Sequence, residues 1–501
     1  MPHSPTTSDR SSDDFNAMDS STALILVHDD DGDNSPFELS DDEEHDDTTF
    51  ETRRPSVQPL APSVVFIYLL SPFLKHGAML LPDFGLPLKY AIPPLLLFAV
   101  LSAFVRQIWY MLARYLRKVD IEDIVLDMVA RGRGYERRRQ FGRSIIRAST
   151  GGLRILLAIV YMRESVFAIL PLVPDVLSIP SKFLMTVIFA VLLLPISTAQ
   201  SLASKRIIYC TWISVCLYLI WFICVAVAHA HGTLRVSPHW QNMGTLWQGI
   251  TATAFAFTSS STLPLYASLR GTTPVATPGK APRNRSFRTV STASVLLATC
   301  LLFPLVFFSA TPNVPPFAEL QGSPGSGLQS AIDALHAFVL LSGIPPLIVT
   351  TPPLPIPERI RYATTMPLSR VITSAIVILV SLVPRHISNA ISDVTMAVAL
   401  FSTYLLPAIL HIVIHNFKRP LSIIIPTTQP PTPSPSARHE ALGEPSTPLP
   451  THDELLQRKE RAMQKRQFRR RLVWDIGVWV LLLPVGGGGV AWAIGRIAGL
   501  W

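Results

Sequence analysis

Charged residues are scarce in this chain. Asp, Glu, Lys and Arg make up 15% of its 501 residues, whereas 49% are hydrophobic. The hydrophobic residues cluster in runs of about 18 to 25, the length of helix that crosses a hydrocarbon core roughly 30 Å thick. A soluble chain of this size would alternate apolar and polar residues to cover several separate cores. The scarcity of charge therefore predicts an all-α, polytopic membrane protein.

Cysteine and metal-ligand patterns are also sparse. None of the four cysteines has CxxC spacing, and all lie in apolar runs, so neither a disulfide framework nor a cysteine metal site is indicated. His411 and His415 are spaced i, i+4 and could share a metal, but no third ligand is evident. The histidines are otherwise scattered, without a nucleophile or an acid–base pair. We predict no metal site, no cofactor and no enzymatic activity.

The charge that is present is distributed unevenly. Residues 1–62 carry 16 acidic and three basic residues, and the densest acidic run extends from Asp41 to Asp47. Such an acidic, Ser/Thr-rich segment cannot bury enough apolar surface to fold. It lacks the basic start and cleavable apolar core of a signal peptide. We expect a disordered cytoplasmic tail, either regulatory or simply solvated.

The apolar runs predict about eleven membrane-spanning helices. Their approximate positions are 63–84, 90–113, 150–174, 182–199, 207–229, 246–268, 289–310, 328–351, 369–384, 391–415 and 472–498.

The loops between these spans give an independent orientation. If the N-terminus is cytoplasmic, the inner loops hold 31 Lys and Arg residues and the outer loops hold four. Basic residues accumulate on the cytoplasmic side, so this alternation supports the span count. The predicted organisation is a tail at 1–62, a ten-helix core at 63–415, a Pro-rich then basic inner loop at 416–471, and an eleventh helix at 472–501. The basic part of that loop either binds anionic lipid headgroups or flanks the last helix as a stop-transfer signal.

Two predicted spans contain residues that interrupt helices. The first includes "SPFLKHGAMLLPDFG", where Pro72 and Pro82 break the hydrogen-bond pattern and Gly77 tolerates unwound dihedrals. The sixth includes "FAFTSSSTLPLY", with five consecutive hydroxyl residues from Thr258 to Thr262. Such residues either hydrogen-bond to their own helix or line a polar cavity. Irregular backbone at membrane depth is tolerated only where it lines an enclosed cavity, so both spans indicate a binding site.

The spacing of the two interrupted spans, five apart, suggests a five-plus-five inverted repeat. In such a LeuT/APC-like arrangement the first helix of each repeat is broken at the substrate site. Half-helix N-termini suit a carboxylate, and unwound carbonyl groups suit an ammonium. The candidate substrate contacts are Gly77, Ala78, Met79, Phe257, Thr258, Ser259 and Ser260.

The order of these motifs resembles the amino acid/auxin permease family. The stretch "FAFTSSSTLPLYASLRG" resembles the family's sixth-helix signature, and "HGAMLLP" resembles the end of its first-helix motif. Similar familial segments are "LLLPISTAQSLASKR", "PLPIPERIRY" and "FSTYLLPAILHI". The resemblance runs from about residue 63 to 415. It implies a secondary active transporter of amino acids or similar small zwitterions that works by alternating access. Within the family, the chain resembles a divergent member of the fungal vacuolar type.

The chain departs from that family pattern where a coupling ion would bind. Lys75 replaces a glycine, and Ser71 replaces an asparagine associated with sodium in some members. We therefore expect protons rather than sodium as the coupling ion. In our hypothesis Lys75 replaces the bound cation and exchanges a proton during transport, with Glu164 as its partner or as a proton carrier. Alternatively, Lys75 snorkels to water, and Arg163 and Glu164 form static pairs with other helices.

The expected partners are the substrate, the proton and the lipid bilayer, and no nucleic acid is expected. A vacuolar or other endomembrane is preferred over the plasma membrane. The alternative function is a non-transporting amino-acid sensor or scaffold that retains the transporter fold, because the acidic tail and Pro-rich loop are suited to recruiting partners.

Overall fold

The chain was analysed as a computed structural model. Its described residues are 58–116, 118, 120–129, 136–173, 180–232, 234, 243–259, 262–270, 287–310, 327–354, 367–414 and 475–498. Nearly all of the acidic tail and the whole segment 416–471 lie outside these residues.

All regular secondary structure in the described part of the chain is helical, and no strand occurs there. Its helices are α1 (Pro62–Leu70), α2 (His76–Leu80), α3 (Leu88–Leu116), α4 (Ile121–Val129), α5 (Glu136–Ile169), α6 (Ser181–Ser197), α7 (Lys205–Ala230), α8 (Met243–Ala256), α9 (Thr262–Arg270), α10 (Phe287–Ala310), α11 (Gly327–Leu341), α12 (Ile344–Thr350), α13 (Leu368–Ser381), α14 (Arg385–Leu400), α15 (Leu406–Ile412) and α16 (Leu483–Ile497).

Among the described residues, eight helical segments are long and apolar enough to cross a membrane. They are Pro62–Asp83, Leu88–Ala113, Arg139–Leu172, Lys205–Ala230, Phe287–Ala310, Gly327–Thr350, Ile387–Ile412 and Gly477–Arg496. The prediction of an all-α, multi-pass integral membrane protein is thus confirmed at this level. The shorter apolar helices α6 and α13, and the pair α8 and α9, lie where the other three spans are predicted.

Helix α5 begins earlier than its apolar run. The predicted span starts at residue 150, but the helix starts at Glu136. Its first part is therefore a basic, polar segment that precedes the apolar run. Two ion pairs hold this extension against α4: Arg143 lies 2.8 Å from Asp123, and Arg147 lies 3.0 Å from Glu122. Hydropathy detects only the part of a helix that faces lipid or core, so this extension was missed.

Several helices pack against helices that are distant in the chain. Helix α1 packs against α10, and α8 and α9 pack against α3. Helix α5 packs against α13 and α14, while α12 packs against α6 and α11 packs against α7. These contacts join helices of the first part of the chain, α1 to α7, to helices of the later part, α8 to α14.

Helix α16 and the helical segment just before it are attached to the preceding span at two points. The ring of His411 lies 3.0 Å from a carboxylate oxygen of Asp475, and Arg496 lies 3.3 Å from Asp393. These contacts fix α16 against α14 and α15.

Candidate functional site

The first apolar span is interrupted at Lys75. After α1, residues Ser71–Leu74 form one 3-10 turn with Pro72 at its second position. Lys75 is extended, with φ −108° and ψ −152°, and α2 begins at the next residue. Proline removes a backbone donor and clashes with the preceding turn, so the helix cannot continue regularly through this segment. The sequence prediction of a break near Pro72 therefore agrees with the local backbone.

Gly77 has a different role from the one expected. It lies inside α2 rather than in unwound backbone. A Cβ atom added at Gly77 would lie 2.5 Å from the Cα atom of Ala256, the last residue of α8. The residue is therefore required for close backbone packing between the two interrupted spans, and its dihedral freedom is not used.

The second interruption follows α8. Phe257, Thr258 and Ser259 lie beyond the end of α8, and α9 begins at Thr262. Ser260 lies outside the described residues. The Thr258 hydroxyl donates to the carbonyl oxygen of Phe255 at 2.8 Å, and the Ser259 hydroxyl lies 3.4 Å from that of Thr262. The sequence suggested that these hydroxyl groups either bond to their own helix or line a cavity. Thr258 does both, because it donates to the carbonyl oxygen of Phe255 in α8 and also lines a cavity.

A cavity of about 80 Å³ lies where the two interruptions meet. Five of the predicted site residues line it: Ser71, Lys75, Gly77, Thr258 and Ser259. Further lining residues come from α5, α7, α12 and the helical turn Phe401–Leu405.

The remaining predicted substrate contacts lie beside this cavity rather than in its lining. Ala78, Met79 and Phe257 are buried in the apolar core, and the Phe257 ring packs 5.6 Å from that of Phe73. These core side chains pack next to the lining residues and help to fix the shape of the cavity.

Lys75 is buried and is held by two other spans. Its ammonium donates to the carbonyl oxygen of Val339 at 2.9 Å, and it also contacts the Ser214 hydroxyl. Gly343 makes room for the aliphatic stem, because a Cβ there would lie 3.0 Å from Lys75 Cε. Cys210 lies within electrostatic range of the ammonium. The lysine thus joins the first interruption to α7 and α11.

Glu164 lies beside Arg163 on α5. Its carboxylate is 3.3 Å from the Arg163 guanidinium. Arg163 donates to the backbone and side chains of α14, including Ser392 at 3.2 Å and Asn389 at 3.3 Å. Arg163 therefore joins α5 to α14.

Arg106 is a buried residue at the site that the sequence reasoning missed. Its guanidinium donates to the Ser294 hydroxyl and to the carbonyl oxygen of Leu69, both at 2.8 Å. It lies 3.5 Å from the Ser259 hydroxyl and 4.3 Å above the Phe73 ring. The last carbonyl groups of a helix lack intrahelical partners and carry partial negative charge, which favours a cation there. The signal was a charged residue inside the second apolar span.

The described lining of the cavity combines hydroxyl groups with a larger apolar surface and contains little charge. Lys75 is its one charged residue, and no acidic residue is among the described lining residues. Its hydroxyl-bearing side chains are Tyr68, Ser71, Tyr161, Thr211, Thr258, Ser259, Thr350 and Thr403. Hydroxyl groups can both donate and accept hydrogen bonds, so the lining suits a small polar molecule.

No group of three or more His, Cys, Asp or Glu residues that could hold a metal occurs in the described part of the chain. His411 contacts Asp475, and His415 lies outside the described residues. Comparison with known proteins gave no further assignment: no family model matches the chain, and no curated protein matches it either.

Proposed function

We propose that the chain is a secondary active transporter of amino acids or similar small zwitterions that works by alternating access. The observation that carries this proposal is the meeting of two interrupted apolar spans at one cavity that is lined in part by hydroxyl groups. Broken helices at a repeat interface are the usual substrate sites of such transporters. We further propose a divergent member of the amino acid/auxin permease family, located in a vacuolar or other endomembrane with its N-terminus in the cytoplasm.

The proposed architecture is eleven spans, of which the first ten form a five-plus-five inverted repeat. One feature supports it: the interruptions lie five spans apart. The helix α16 then lies outside the repeat and packs on its last member.

Lys75 is the proposed coupling residue. Its ammonium bridges the first interruption to α7 and α11 and supplies a fixed positive charge beside the cavity. A cation held there by protein contacts can replace a bound metal cation and can release and regain a proton. Ser71 lines the same cavity, and Glu164, placed beside Arg163, remains a second candidate for proton transfer.

Uptake by purified protein in liposomes tests both parts of the proposal. A panel of radiolabelled amino acids, measured with and without a pH gradient, should reveal flux that the gradient stimulates. Lys75→Met should abolish the stimulation, and Glu164→Gln tests the second candidate. Lys89→Met is the matched control, because Lys89 is exposed at the start of α3. Absence of flux for every amino acid would contradict the transporter proposal, and unchanged stimulation in Lys75→Met would contradict the role of the lysine.

A non-transporting sensor is the second candidate function. The observation that favours it is that the Lys75 ammonium already has protein partners, while the described lining offers no carboxylate to a substrate ammonium. A ligand at a hundredfold excess over its Kd stabilises a protein by about 2.7 kcal/mol. Amino-acid-induced stabilisation together with absence of flux would favour the sensor.

A further inference from the structure

Several buried polar atoms have no hydrogen-bond partner among the described residues, and four of them belong to residues near Lys75 or near its contacts. They are His76 Nδ1, Tyr218 Oη, Trp221 Nε1 and His336 Nε2. Three of these side chains form one connected group, because the rings of Tyr218 and Trp221 lie 5.5 Å apart and those of Trp221 and His336 lie 6.5 Å apart. His76 directly follows Lys75 in the chain. Buried polar atoms are nearly always satisfied, so this cluster requires an explanation.

The cluster lies next to the two residues that contact Lys75, one on α7 and one on α11. On α7, Tyr218 follows Ser214 by one turn within a single buried stripe. On α11, His336 precedes Val339 by one turn. Ser214 and Val339 are the two residues that hold the Lys75 ammonium. Residues three or four apart share one helix face, so the cluster continues the Lys75 site away from the substrate cavity.

The chemistry of the four atoms fits water better than any other ligand. The indole N–H only donates, the phenol donates and accepts, and each imidazole nitrogen does one or the other according to its tautomer. All four groups are uncharged in these forms, so they supply no strong attraction for an ion. A buried water typically makes about three hydrogen bonds to such groups. None of the four residues is among the described lining of the substrate cavity.

Resting on the proton-coupled function proposed above, we propose that His76, Tyr218, Trp221 and His336 hold a buried chain of water that carries protons between Lys75 and the beginning of α11. The Lys75 ammonium transfers a proton to the adjoining water, and each water along the chain accepts one proton and releases another. The Trp221 N–H takes no part in the transfer itself and only orients a water by donating a hydrogen bond to it. One proton thus leaves at the far end, and Lys75 becomes neutral. Return of a proton along the same path restores the ammonium.

Charged groups stand at suitable places around this path. Asp333 lies one turn before His336, where its carboxylate accepts a hydrogen bond from Gln329, and it is within electrostatic range of Asp83. These two carboxylates mark the end of the path at which protons enter or leave. The Arg163 guanidinium of α5 is a further charge in the neighbourhood of His76.

Radiolytic hydroxyl labelling with mass spectrometry tests the hydration directly, because buried side chains are labelled only where water lies beside them. Tyr218 should be labelled several-fold more than Tyr404, which is equally buried but donates to the carbonyl oxygen of Ala254. Equal, low labelling of the two tyrosines would overturn the proposal.

Variants on α7 then test proton conduction in liposomes. Tyr218→Phe and Trp221→Phe remove a polar atom and keep an aromatic ring, and each should reduce the pH-gradient stimulation of uptake several-fold. Tyr209→Phe and Trp212→Phe are the matched controls, since both residues are exposed on the same helix. If labelling shows that the site is hydrated but Tyr218→Phe and Trp221→Phe keep full stimulation of uptake by the pH gradient, the proton path is overturned.

The outcomes also separate this proposal from the function on which it rests. If the wild type shows no flux, the transporter proposal fails, and the proton path fails with it. If flux is present without stimulation by a pH gradient, transport stands and the path is overturned. Exchange of labelled for unlabelled substrate, which needs no net proton movement, should remain unchanged in both variants and shows that they are folded.

Discussion

Arg106, in the middle of α3, donates a 2.8 Å hydrogen bond to the carbonyl oxygen of Leu69 near the end of α1. The same guanidinium binds Ser294 of α10 and approaches Ser259 at the second interruption. One buried side chain therefore connects both interrupted spans to two continuous helices. Its charge is stabilised by the helix-end carbonyl group of Leu69, by the Ser294 hydroxyl and by the aromatic face of Phe73.

Replacement of Arg106 should destabilise the fold. Arg106→Met keeps the apolar stem but leaves the Leu69 carbonyl and the Ser294 hydroxyl without their donor. Hydrogen bonds to charged groups contribute about 1.5–3 kcal/mol each, so the free energy of unfolding should fall by at least about 2 kcal/mol. Arg106→Lys should give an intermediate loss, because an ammonium lacks the two-pronged geometry of a guanidinium.

The unfolding midpoint of purified protein in detergent measures this loss. Arg139→Met is the matched control, because Arg139 is exposed on the basic extension of α5. Equal midpoints for Arg106→Met and Arg139→Met would show that the buried contacts contribute nothing.

Gly77→Ala should also be destabilising. The added methyl group would overlap backbone atoms of Ala256, which cannot move independently of α8. Overpacking of this kind costs about 1–3 kcal/mol. Gly152→Ala in α5 is the control, since no atom lies within 4 Å of its new methyl group. That change should be neutral or stabilising by up to about 1 kcal/mol, because alanine favours helix. The same sign in both variants, read from unfolding midpoints, would refute the packing argument.

Gly343→Ala should disturb Lys75 without changing its chemistry. The new methyl group would lie 3.0 Å from Lys75 Cε and displace the ammonium from the Val339 carbonyl. Stimulation of uptake by a pH gradient should therefore fall, whereas Gly327→Ala, with open space around it, should behave as the wild type. Wild-type stimulation in Gly343→Ala would mean that the position of the ammonium is unimportant.

The contact between Asp393 and Arg496 should be exchangeable. Asp393→Arg or Arg496→Asp alone places like charges together, whereas the double exchange restores an ion pair. Because both side chains are partly exposed, the pair contributes about 1 kcal/mol or less. Limited proteolysis should release α16 faster in each single variant than in the double variant. Equal rates in all three would exclude a role for this pair in holding α16.

The sequence predicts those features that depend on neighbouring residues in the chain. Pro72 and the run from Thr258 to Thr262 indicate helix interruptions because proline chemistry and hydroxyl clustering act locally. Membrane insertion is predictable for the same reason, since eighteen or more apolar residues suffice for a helix to span the bilayer.

Features that depend on tertiary contacts could not be predicted in this way. The sequence gives no indication that Gly77 lies against Ala256, so it predicts only a use of the dihedral freedom of glycine. Likewise, the sequence marks Lys75, Arg163 and Glu164 as charges at membrane depth but does not indicate which groups of other helices they contact. The Ser214 and Val339 contacts of Lys75 come from residues more than a hundred positions away.

The contact between Gly77 and Ala256 has a mechanical consequence. No side chain separates the backbones of α2 and α8 there, so a displacement of one helix is transmitted to the other without the slack that a rotating side chain would allow. The two helices consequently move as one rigid unit, with a helix interruption next to each of them. A molecule that tilts α2 must also tilt α8, so the site has one independent motion fewer.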